Sequence, residues 1–307
     1  MKIIKTKKGV QKEIARLRRQ GRSIGFVPTM GYFHEGHLSL MRQSVRENDV
    51  TVVSLFVNPT QFGPKEDLAR YPRDLGRDSR MAREVGVDIL FVPSIEEMYP
   101  EFEGTRDKGQ GTGKACAFGR VPCPMSRVTV KVGPIGDVLC GASRPGHFDG
   151  VATVVVKLLN IVTPDVMYLG EKDAQQVVVL KKVVKDMDLP VRIRTCPIFR
   201  EPDGLAMSSR NVYLSPTERE EAVVLSRALR EAASRIRSGE RDGQRIISEI
   251  KKLILEGAHA SIDYVSVVDA VGLSPVRRIS GNVLIALAAR FGKTRLIDNI
   301  TVKVHGQ

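Results

Sequence analysis

The chain has 307 residues, 42% of them hydrophobic, which is enough for a sizeable core and about two domains of roughly 150 residues each. No apolar run reaches the roughly 20 residues of a membrane-spanning helix, and the lysine-rich start lacks a signal-peptide core, so we expect a cytoplasmic protein with no membrane partner. The formal charge of +13 suits RNA binding or anionic substrates, but interleaved acidic residues, 5% aromatic content and no Trp disfavour nucleic acid.

The first hundred residues alternate between strand and helix patterns. A short apolar strand at residues 23–28 leads through a Gly-containing turn into a helix that begins near His37. The continuous apolar run at residues 50–57 is typical of a buried parallel strand and stops at an Asn-Pro pair. A helix at about 74–86 and a strand at about 88–93 follow. This alternation predicts a doubly wound, Rossmann-like parallel sheet of the α/β class.

A glycine-rich stretch with few apolar residues occupies residues 101–125 and predicts an excursion from the core. Its two cysteines, Cys116 and Cys123, could bind a metal ion or each other, although a variable loop with two thiols is the simpler interpretation. The other cysteines, Cys140 and Cys196, form no C-x-x-C pair. Because four cysteines are sparse for this length, we expect reduced thiols rather than a disulfide framework.

Strand and helix patterns resume after the excursion. We predict strands at residues 128–132, 166–170 and 191–198, a helix over 144–162, and another helix that begins within 171–176. These elements complete the sheet of the first domain, so we place the domain boundary near its last strand.

The remainder of the chain is organised differently, with residues 1–198 as the first domain and residues 199–307 as the second. Residues 215–218 combine an N-cap serine, a proline at the first helical position and a capping-box glutamate, which predicts a helix to about residue 238. The other predicted elements are a helix at 244–255 and strands at 262–269 and 282–289. The sequence thus predicts a smaller α+β C-terminal lid domain.

Polar residues collect after three of the predicted strands, at residues 29–37, 58–61 and 170–176. In an open α/β sheet, ligands bind outside the carboxyl ends of the strands. Because the three segments are far apart in sequence, their convergence predicts a binding site better than any single motif.

Two histidines, His34 and His37, lie at a predicted helix start. Exposed N–H groups and the helix dipole favour phosphate there, and imidazoles can donate further hydrogen bonds. A structural or capping role is the alternative for each histidine alone, whereas the preceding Thr-Met-Gly turn favours a functional one. Zinc is disfavoured because the motif is not H-E-x-x-H and no third ligand lies at a recognisable spacing.

The other polar segments supply charged and amide side chains. Lys172 can neutralise a phosphate or carboxylate and Asp173 can accept from a ribose hydroxyl, unless they are a solvated lysine and a helix cap. Arg144 is either a carboxylate fork or the partner of a structural Asp. The loop at residues 208–210 offers hydroxyls and a guanidinium that could close over the same phosphates. Uncharged residues suited to orienting substrates are Asn58, Gln61 and Gln176.

Together these residues resemble the pantothenate synthetase (pantoate–beta-alanine ligase) family of the nucleotidyltransferase superfamily. The resemblance covers about residues 23–299. The motifs that carry it are Pro28-Thr-Met-Gly31, His34-Glu-Gly-His37, Phe56-Val-Asn-Pro59, Gln61-Phe-Gly63, Arg144-Pro-Gly-His147, Gly170-Glu-Lys-Asp173, Gln175-Gln176, Gly204-Leu-Ala-Met-Ser-Ser-Arg-Asn211 and Thr294-Arg-Leu-Ile-Asp-Asn299.

The resemblance implies a two-step reaction of ATP, pantoate and β-alanine. Pantoate carboxylate displaces pyrophosphate from ATP to form pantoyl adenylate, and the β-alanine amine then releases AMP and gives pantothenate, for coenzyme A biosynthesis. Mg²⁺, with unassigned ligands, and a homodimer are also implied. Rival functions are another adenylate-forming ligase with a different acid, and an RNA-binding protein.

The resemblance also assigns residues to roles. It implies catalysis by His34, His37, Lys172 and Arg210, with His37 as proton donor. The substrate acids would be contacted by Gln61, Gln176, Asn58 and Arg144. The residues implied to surround ATP are Met30, Gly31, Tyr32, Phe33, His34, Glu35, Gly36, His37, Gly170, Glu171, Lys172, Asp173, Phe199, Met207, Ser208, Ser209 and Arg210.

Three features depart from the family pattern. Residues 101–125 form a longer stretch than expected, with no assigned function, and their two cysteines have no role in the family reaction. Cys140 stands where other members can have Glu, and Phe199 stands where an aliphatic residue is common. We therefore assign no catalytic role to Cys140, and we expect Phe199 to meet adenine through its main chain.

Overall fold

The computed structural model describes residues 1–63, 66–100 and 128–304, which form two sheets with separate hydrophobic cores. The predicted excursion at 101–125, with Cys116 and Cys123, lies outside the described residues. Within the described ranges, no helix is both long and apolar enough to cross a membrane.

Six parallel strands form the first sheet in the order β1-β4-β3-β2-β5-β6. They are β1 (Lys2–Ile4), β2 (Ile24–Thr29), β3 (Val50–Leu55), β4 (Ile89–Phe91), β5 (Val166–Gly170) and β6 (Arg192–Cys196). From β2 the chain builds outward through β3 and β4, and then crosses to place β5 and β6 on the other side of β2. The strand order reverses between β2 and β5, and the prediction of a doubly wound, Rossmann-like sheet is confirmed.

Helices alternate with these strands and continue into the second half of the chain. They are α1 (Lys7–Arg19), α2 (Glu35–Glu47), α3 (Leu75–Glu84), α4 (Ile95–Met98), α5 (Cys140–Ser143), α6 (His147–Val162), α7 (Ala174–Asp186), α8 (Pro216–Glu221), α9 (Val224–Arg237) and α10 (Gly243–Gly257). Apolar residues of α1 and α6 pack with the sheet residues Phe26, Val52 and Met167 in one core. Burial of this apolar area is the main stabilising contribution to the first sheet.

The second sheet is antiparallel and has the order β7-β8-β9. Its strands are β7 (Ala260–Asp269), β8 (Gly281–Phe291) and β9 (Thr294–Val304), and its core includes apolar residues of α9 and α10. The smaller α+β part is thus confirmed, with β9 as a strand that sequence reasoning did not assign. Both sheets fall on the expected sides of residue 198, and the exact domain boundary stays a prediction.

The predicted strand at residues 128–132 is wrong, because this segment is an irregular loop. Its backbone bonds to side chains of α6 instead of a neighbouring strand. Val130 N–H donates to Thr153 Oγ1 at 2.9 Å, and Val132 N–H donates to Asp149 Oδ1 at 3.0 Å. Side-chain acceptors therefore replace the strand ladder that the β-branched residues suggested.

The predicted helix at 215–238 divides into α8 and α9. At the junction the hydrogen bonds tighten to an i to i+3 spacing, since Val223 N–H donates to Glu220 O and Leu225 N–H donates to Ala222 O. The predicted start is confirmed: Ser215 Oγ accepts from Glu218 N–H, and Glu218 accepts from Ser215 N–H in return. At the other end of the chain, β1 and α1 were not assigned from the sequence.

Candidate active site at the switch between β2 and β5

The turn after β2 is held by a buried carboxylate. Gly31 and Tyr32 both have positive φ values, 86° and 52°. Asp78 on α3 is 1% exposed and accepts from Tyr32 N–H at 2.7 Å and Phe33 N–H at 2.8 Å. These bonds stabilise a conformation that a tyrosine rarely adopts alone. Sequence reasoning missed Asp78, because nothing near it in the chain shows that it faces this turn.

Both histidines of the turn are fixed by local hydrogen bonds. His34 caps α2, and its Nδ1 accepts from Gly36 N–H at 3.1 Å. His37 Nδ1 accepts from His34 N–H at 3.4 Å, and the two ring centroids are 4.1 Å apart. A side chain at Gly36 would crowd the His34 ring, since a Cβ there would lie 2.9 Å from Cε1. Because both Nδ1 atoms accept, each neutral ring carries its proton on Nε2 and can donate it to a ligand.

Electrostatics keep both imidazoles neutral at pH 7. Burial, followed by the charge of Lys172, lowers the pKa of His34 to about 4. Burial also lowers the pKa of His37 well below its usual range, with further contributions from His34 and Lys172. The site therefore presents two uncharged N–H donors, which can hydrogen-bond an anion but do not add positive charge to it.

The positive charge of the site comes from the turn after β5. Lys172 lies in a 3₁₀ turn, Glu171–Asp173, between β5 and α7. Its Nζ is 3.5 Å from Asp173 Oδ1, and its side chain is 21% exposed. At the same turn, Asn299 of β9 donates to the backbone carbonyls of Glu171 and Lys172. The second sheet thus contacts the backbone of the candidate catalytic lysine.

The loop at residues 207–210 is ordered by contacts with the segment after β3. Arg210 forms a bidentate pair with Asp67, with both N–O distances 3.0 Å. Tyr71 Oη lies 3.2 Å from Ser209 Oγ, and Ser208 Oγ accepts from Arg210 N–H at 3.2 Å. The cationic fork therefore faces the cleft with a carboxylate already bound to it.

Asn58 is a buried side chain that supports the segment after β3, and its polar atoms already bond to other residues of the protein. It is 1% exposed, and its amide donates to Gln61 Oε1 at 3.3 Å and Gly150 O at 3.2 Å. Its Oδ1 accepts from Tyr99 at 2.8 Å and from Thr60 at 3.1 Å. All of its polar atoms are thus engaged, and its predicted contact with a substrate acid remains a prediction.

Gln61, by contrast, directs its amide across the cleft. Gln61 Nε2 lies 2.8 Å from Met30 Sδ, a weak acceptor that a better hydrogen-bonding ligand can displace. Its backbone carbonyl accepts from His147 Nδ1 at 2.8 Å and from Arg144 at 3.2 Å. The side chain is therefore held in place from behind while its own donor remains available to a substrate.

Arg144 is bound to a structural acid in this structure. It pairs with both oxygens of Glu66, at 2.7 and 2.6 Å, and its Nη1 lies 3.0 Å from His147 Nε2. Burial and the adjacent Arg144 charge lower the pKa of His147 to about 4, so this ring is neutral too. Of the two alternatives for Arg144, the geometry shows an ion pair, but the partner is Glu66 and not the aspartate that we expected, and Glu66 lines the same cleft.

Two adjoining cavities, of about 230 and 550 Å³, run between the two sheets. They share Arg144, His147, Lys172, Asp173, Gln176, Ser208 and Arg210, so they form one cleft. Most of the predicted site residues line it: Met30, His34, Gly36, His37, Asn58, Gln61, Arg144, Gly170, Lys172, Asp173, Gln176, Phe199, Met207, Ser208, Ser209 and Arg210.

The remaining predicted residues do not line this cleft. Phe33 is fully buried, and Glu35 pairs with Arg42 at 2.9 Å. The others of this group are Gly31, Tyr32 and Glu171. Tyr71 and His147 line the cleft and were not predicted as ligand contacts, although His147 was named within a motif. No cluster of three metal-binding side chains exists within the described residues.

The family model described as Pantoate-beta-alanine ligase matches residues 2–301 of this chain. The chain belongs to the pantoate-beta-alanine ligase family. A curated relative named pantothenate synthetase, from Acetivibrio thermocellus, is 53% identical over 99% of this chain and 100% of its own length. The resemblance of the sequence motifs to the pantoate-beta-alanine ligase family is therefore confirmed over almost the whole chain.

Solved structures of this ligase family have the same architecture. Pantothenate synthetase from Thermus thermophilus has a TM-score of 0.85 at 41% identity, covering 98% of this chain and 99% of that chain. The pantoate-beta-alanine ligase from Francisella tularensis, solved with beta-gamma ATP and beta-alanine, has a TM-score of 0.73 at 34% identity. It covers 98% of this chain and 97% of its own.

Proposed function

We propose that this chain joins pantoate to β-alanine, with cleavage of ATP to AMP and pyrophosphate, and thereby supplies pantothenate for coenzyme A biosynthesis. The observation that carries this function is the convergence of two neutral imidazole donors, Lys172 and the 207–210 loop on one cleft lined with amide side chains. Family membership and the ligands of the Francisella tularensis ligase support it.

The first step is attack of the pantoate carboxylate on the α-phosphorus of ATP, which forms a C–O–P bond and expels pyrophosphate. Both reactants are anions, so the reaction needs compensation of negative charge as the new bond forms. Lys172 supplies positive charge after β5, and His34 and His37 supply Nε2–H donors after β2. We assign His37 as a hydrogen-bond donor in its neutral form, because its lowered pKa disfavours an imidazolium acid.

In the second step, the amine of β-alanine attacks the acyl carbon of pantoyl adenylate. The amide C–N bond forms, the amine loses a proton, and AMP leaves with the electron pair of the broken C–O bond. No covalent bond to the enzyme is needed, and the two thiols in the described residues, Cys140 and Cys196, are buried. The residues of the cleft then act by holding the adenylate and the amine in an attacking geometry. Gln61 and Gln176 line the cleft, and we assign them to orient the acids.

Mg²⁺ is proposed to enter as part of the Mg-ATP substrate. The described residues contain no cluster of three metal-binding side chains, which suits an ion held mainly by phosphate oxygens and water. Asp173 lines the cleft beside Lys172 and is half-exposed, so it is a candidate for contact with the hydrated ion or the ribose. A cytoplasmic location and a homodimer stay predictions, and light scattering of the purified protein tests the second.

The function is tested by incubating purified protein with ATP, pantoate and β-alanine. We expect AMP release that requires both acids, and exchange of labelled pyrophosphate into ATP that requires pantoate alone. Exchange with other hydroxy acids but not pantoate would assign a different adenylate-forming ligase. Tight RNA binding at physiological salt, with no thermal shift from ATP, would instead favour the RNA-binding alternative.

A further inference from the structure

A buried amide of the second sheet contacts the turn that carries Lys172. Asn299 on β9 is 5% exposed. Its Nδ2 donates to the backbone carbonyls of Glu171 at 3.0 Å and Lys172 at 2.8 Å. One amide group therefore satisfies two successive carbonyls of a short turn, at the residue whose ammonium faces the cleft.

The residue before it, Asp298, binds the segment that leads to the 207–210 loop. Asp298 is 3% exposed and accepts both arms of Arg200, at 2.7 and 2.9 Å. Arg200 directly follows Phe199, whose carbonyl accepts from Met207 N–H at 3.0 Å. Two consecutive residues of β9 are thus tied to two cleft-lining segments, Asn299 directly to the turn after β5 and Asp298, through Arg200, to the segment that precedes the 207–210 loop.

The side chain of Asn299 is not needed for β9 to stay in its sheet. Asn299 pairs with Ala286 of β8 in a continuous antiparallel register that runs from Thr294 to Val304. The backbone ladder therefore secures the strand independently of the side chain. An aspartate could not replace the amide, since a carboxylate has no N–H to donate to the two carbonyls.

We propose that Asn299 is a positioning residue for Lys172, an inference that rests on the proposed function. By fixing the carbonyls on both sides of the Lys172 N–Cα unit, the amide sets where the ammonium projects into the cleft. Because the amide belongs to the second sheet, the placement of the charge depends on how that sheet packs against the first.

The test compares Asn299→Asp and Asn299→Ala with a control, Asn282→Asp. Asn282 is an exposed residue of β8, so its substitution adds the same charge to the same sheet away from the cleft. We expect kcat for pantoate-dependent pyrophosphate exchange to fall about 10- to 100-fold in Asn299→Asp, with a smaller loss in Asn299→Ala. KM for pantoate should stay within about twofold, because the amide N–H groups of Asn299 are already donated to the two backbone carbonyls.

A second measurement does not depend on activity. Amide hydrogen exchange at residues 171–174 should be faster in Asn299→Asp than in the wild type, and unchanged in Asn282→Asp. Wild-type kcat in both Asn299 variants, or unchanged amide exchange, would overturn the positioning role. So would failure of both variants to fold, which would make Asn299 a residue of the fold alone. If the wild type makes no pantothenate while the turn still loosens in the variant, only the proposed function fails.

Discussion

The two walls of the cleft handle the same kind of ligand with different physics. The wall after β2 offers neutral N–H donors, His34 and His37, held by backbone groups at most three residues away. The wall after β5 and the 207–210 loop offer cations, and the partners that hold them are distant in sequence: Asn299 for the Lys172 turn and Asp67 for Arg210. The first wall is built by local sequence and the second by tertiary packing.

The largest effect should follow removal of charge from the cationic wall. Lys172→Gln keeps a hydrogen-bond donor but loses the ammonium, so we expect adenylate formation to fall about 100- to 1,000-fold. Pantoate-dependent pyrophosphate exchange measures this step. Lys182→Gln, which removes an exposed lysine of α7, is the control and should keep wild-type activity. Near-normal exchange in Lys172→Gln would show that the reaction does not need the positive charge that distinguishes this wall from the wall after β2.

A smaller loss of pyrophosphate exchange is expected when glutamine replaces a histidine in the wall after β2, which offers neutral donors. His37→Gln retains an uncharged N–H donor but loses the ring geometry, so exchange should fall about tenfold, equivalent to roughly 1.4 kcal/mol. The control is His259→Gln, an imidazole on the surface that pairs with Glu221. A loss as large as that of Lys172→Gln would show that His37 acts with a charge in the reaction.

Glu66→Gln tests whether Arg144 serves the substrate or the fold. Loss of the charged pair should make Arg144 less well fixed, and Arg144 in turn bonds to the backbone carbonyl of Gln61. We therefore expect KM for pantoate to rise about threefold to fivefold, with kcat unchanged. Steady-state kinetics measures both values, with the exposed Glu231→Gln as the control. A lower KM would have the opposite meaning, namely that Glu66 competes with the pantoate carboxylate for Arg144.

The smallest effect is expected on the protonation of His34 when the pH is lowered through neutrality. The pKa of His34 is lowered to about 4, so its NMR resonances should not change between pH 8 and about 5.5. The raised pKa of His259, caused by Glu221, provides an internal control that titrates above the usual value of 6.5. Titration of His34 near pH 6.5 would contradict a buried, neutral ring.

Protein stability should nevertheless depend on pH. The unfolded chain binds protons at these histidines near pH 6.5, whereas His34 and His147 in the folded chain bind them only near pH 4. Acidification from pH 6.5 to 4 therefore favours the unfolded state, and their contribution should lower Tm over that interval. Calorimetry across this range checks the sign.

Whether a feature could be predicted from the sequence also depends on whether its contacts are local or distant in the chain. The α2 start, with both histidines and the preceding glycine turn, could be predicted because the hydrogen bonds that define it join residues within one helical turn. The central strands β3 and β5 could be predicted because their apolar runs record burial on both faces. Local signals are thus sufficient where the structure is local.

The missed features depend on contacts between distant segments. Asp78 lies more than forty residues from the turn that it holds, and Asn299 is separated from Lys172 by 127 residues, so spacing in the chain carries no signal for either. The wrong strand at 128–132 has the same origin. Its valines satisfy a strand pattern, and the acceptors that decide its conformation, Asp149 and Thr153, belong to a helix later in the chain.

The pair between Arg210 and Asp67 has a consequence for ligand affinity. The guanidinium is already ordered by two hydrogen bonds, so its rotamer entropy is lost when the chain folds and not when a ligand arrives. An anion that reaches this fork exchanges with a carboxylate instead of with bulk water. Affinity at this point then reflects a difference between two charge-assisted contacts, which favours anions that can bind both arms of the fork over singly bonded ones.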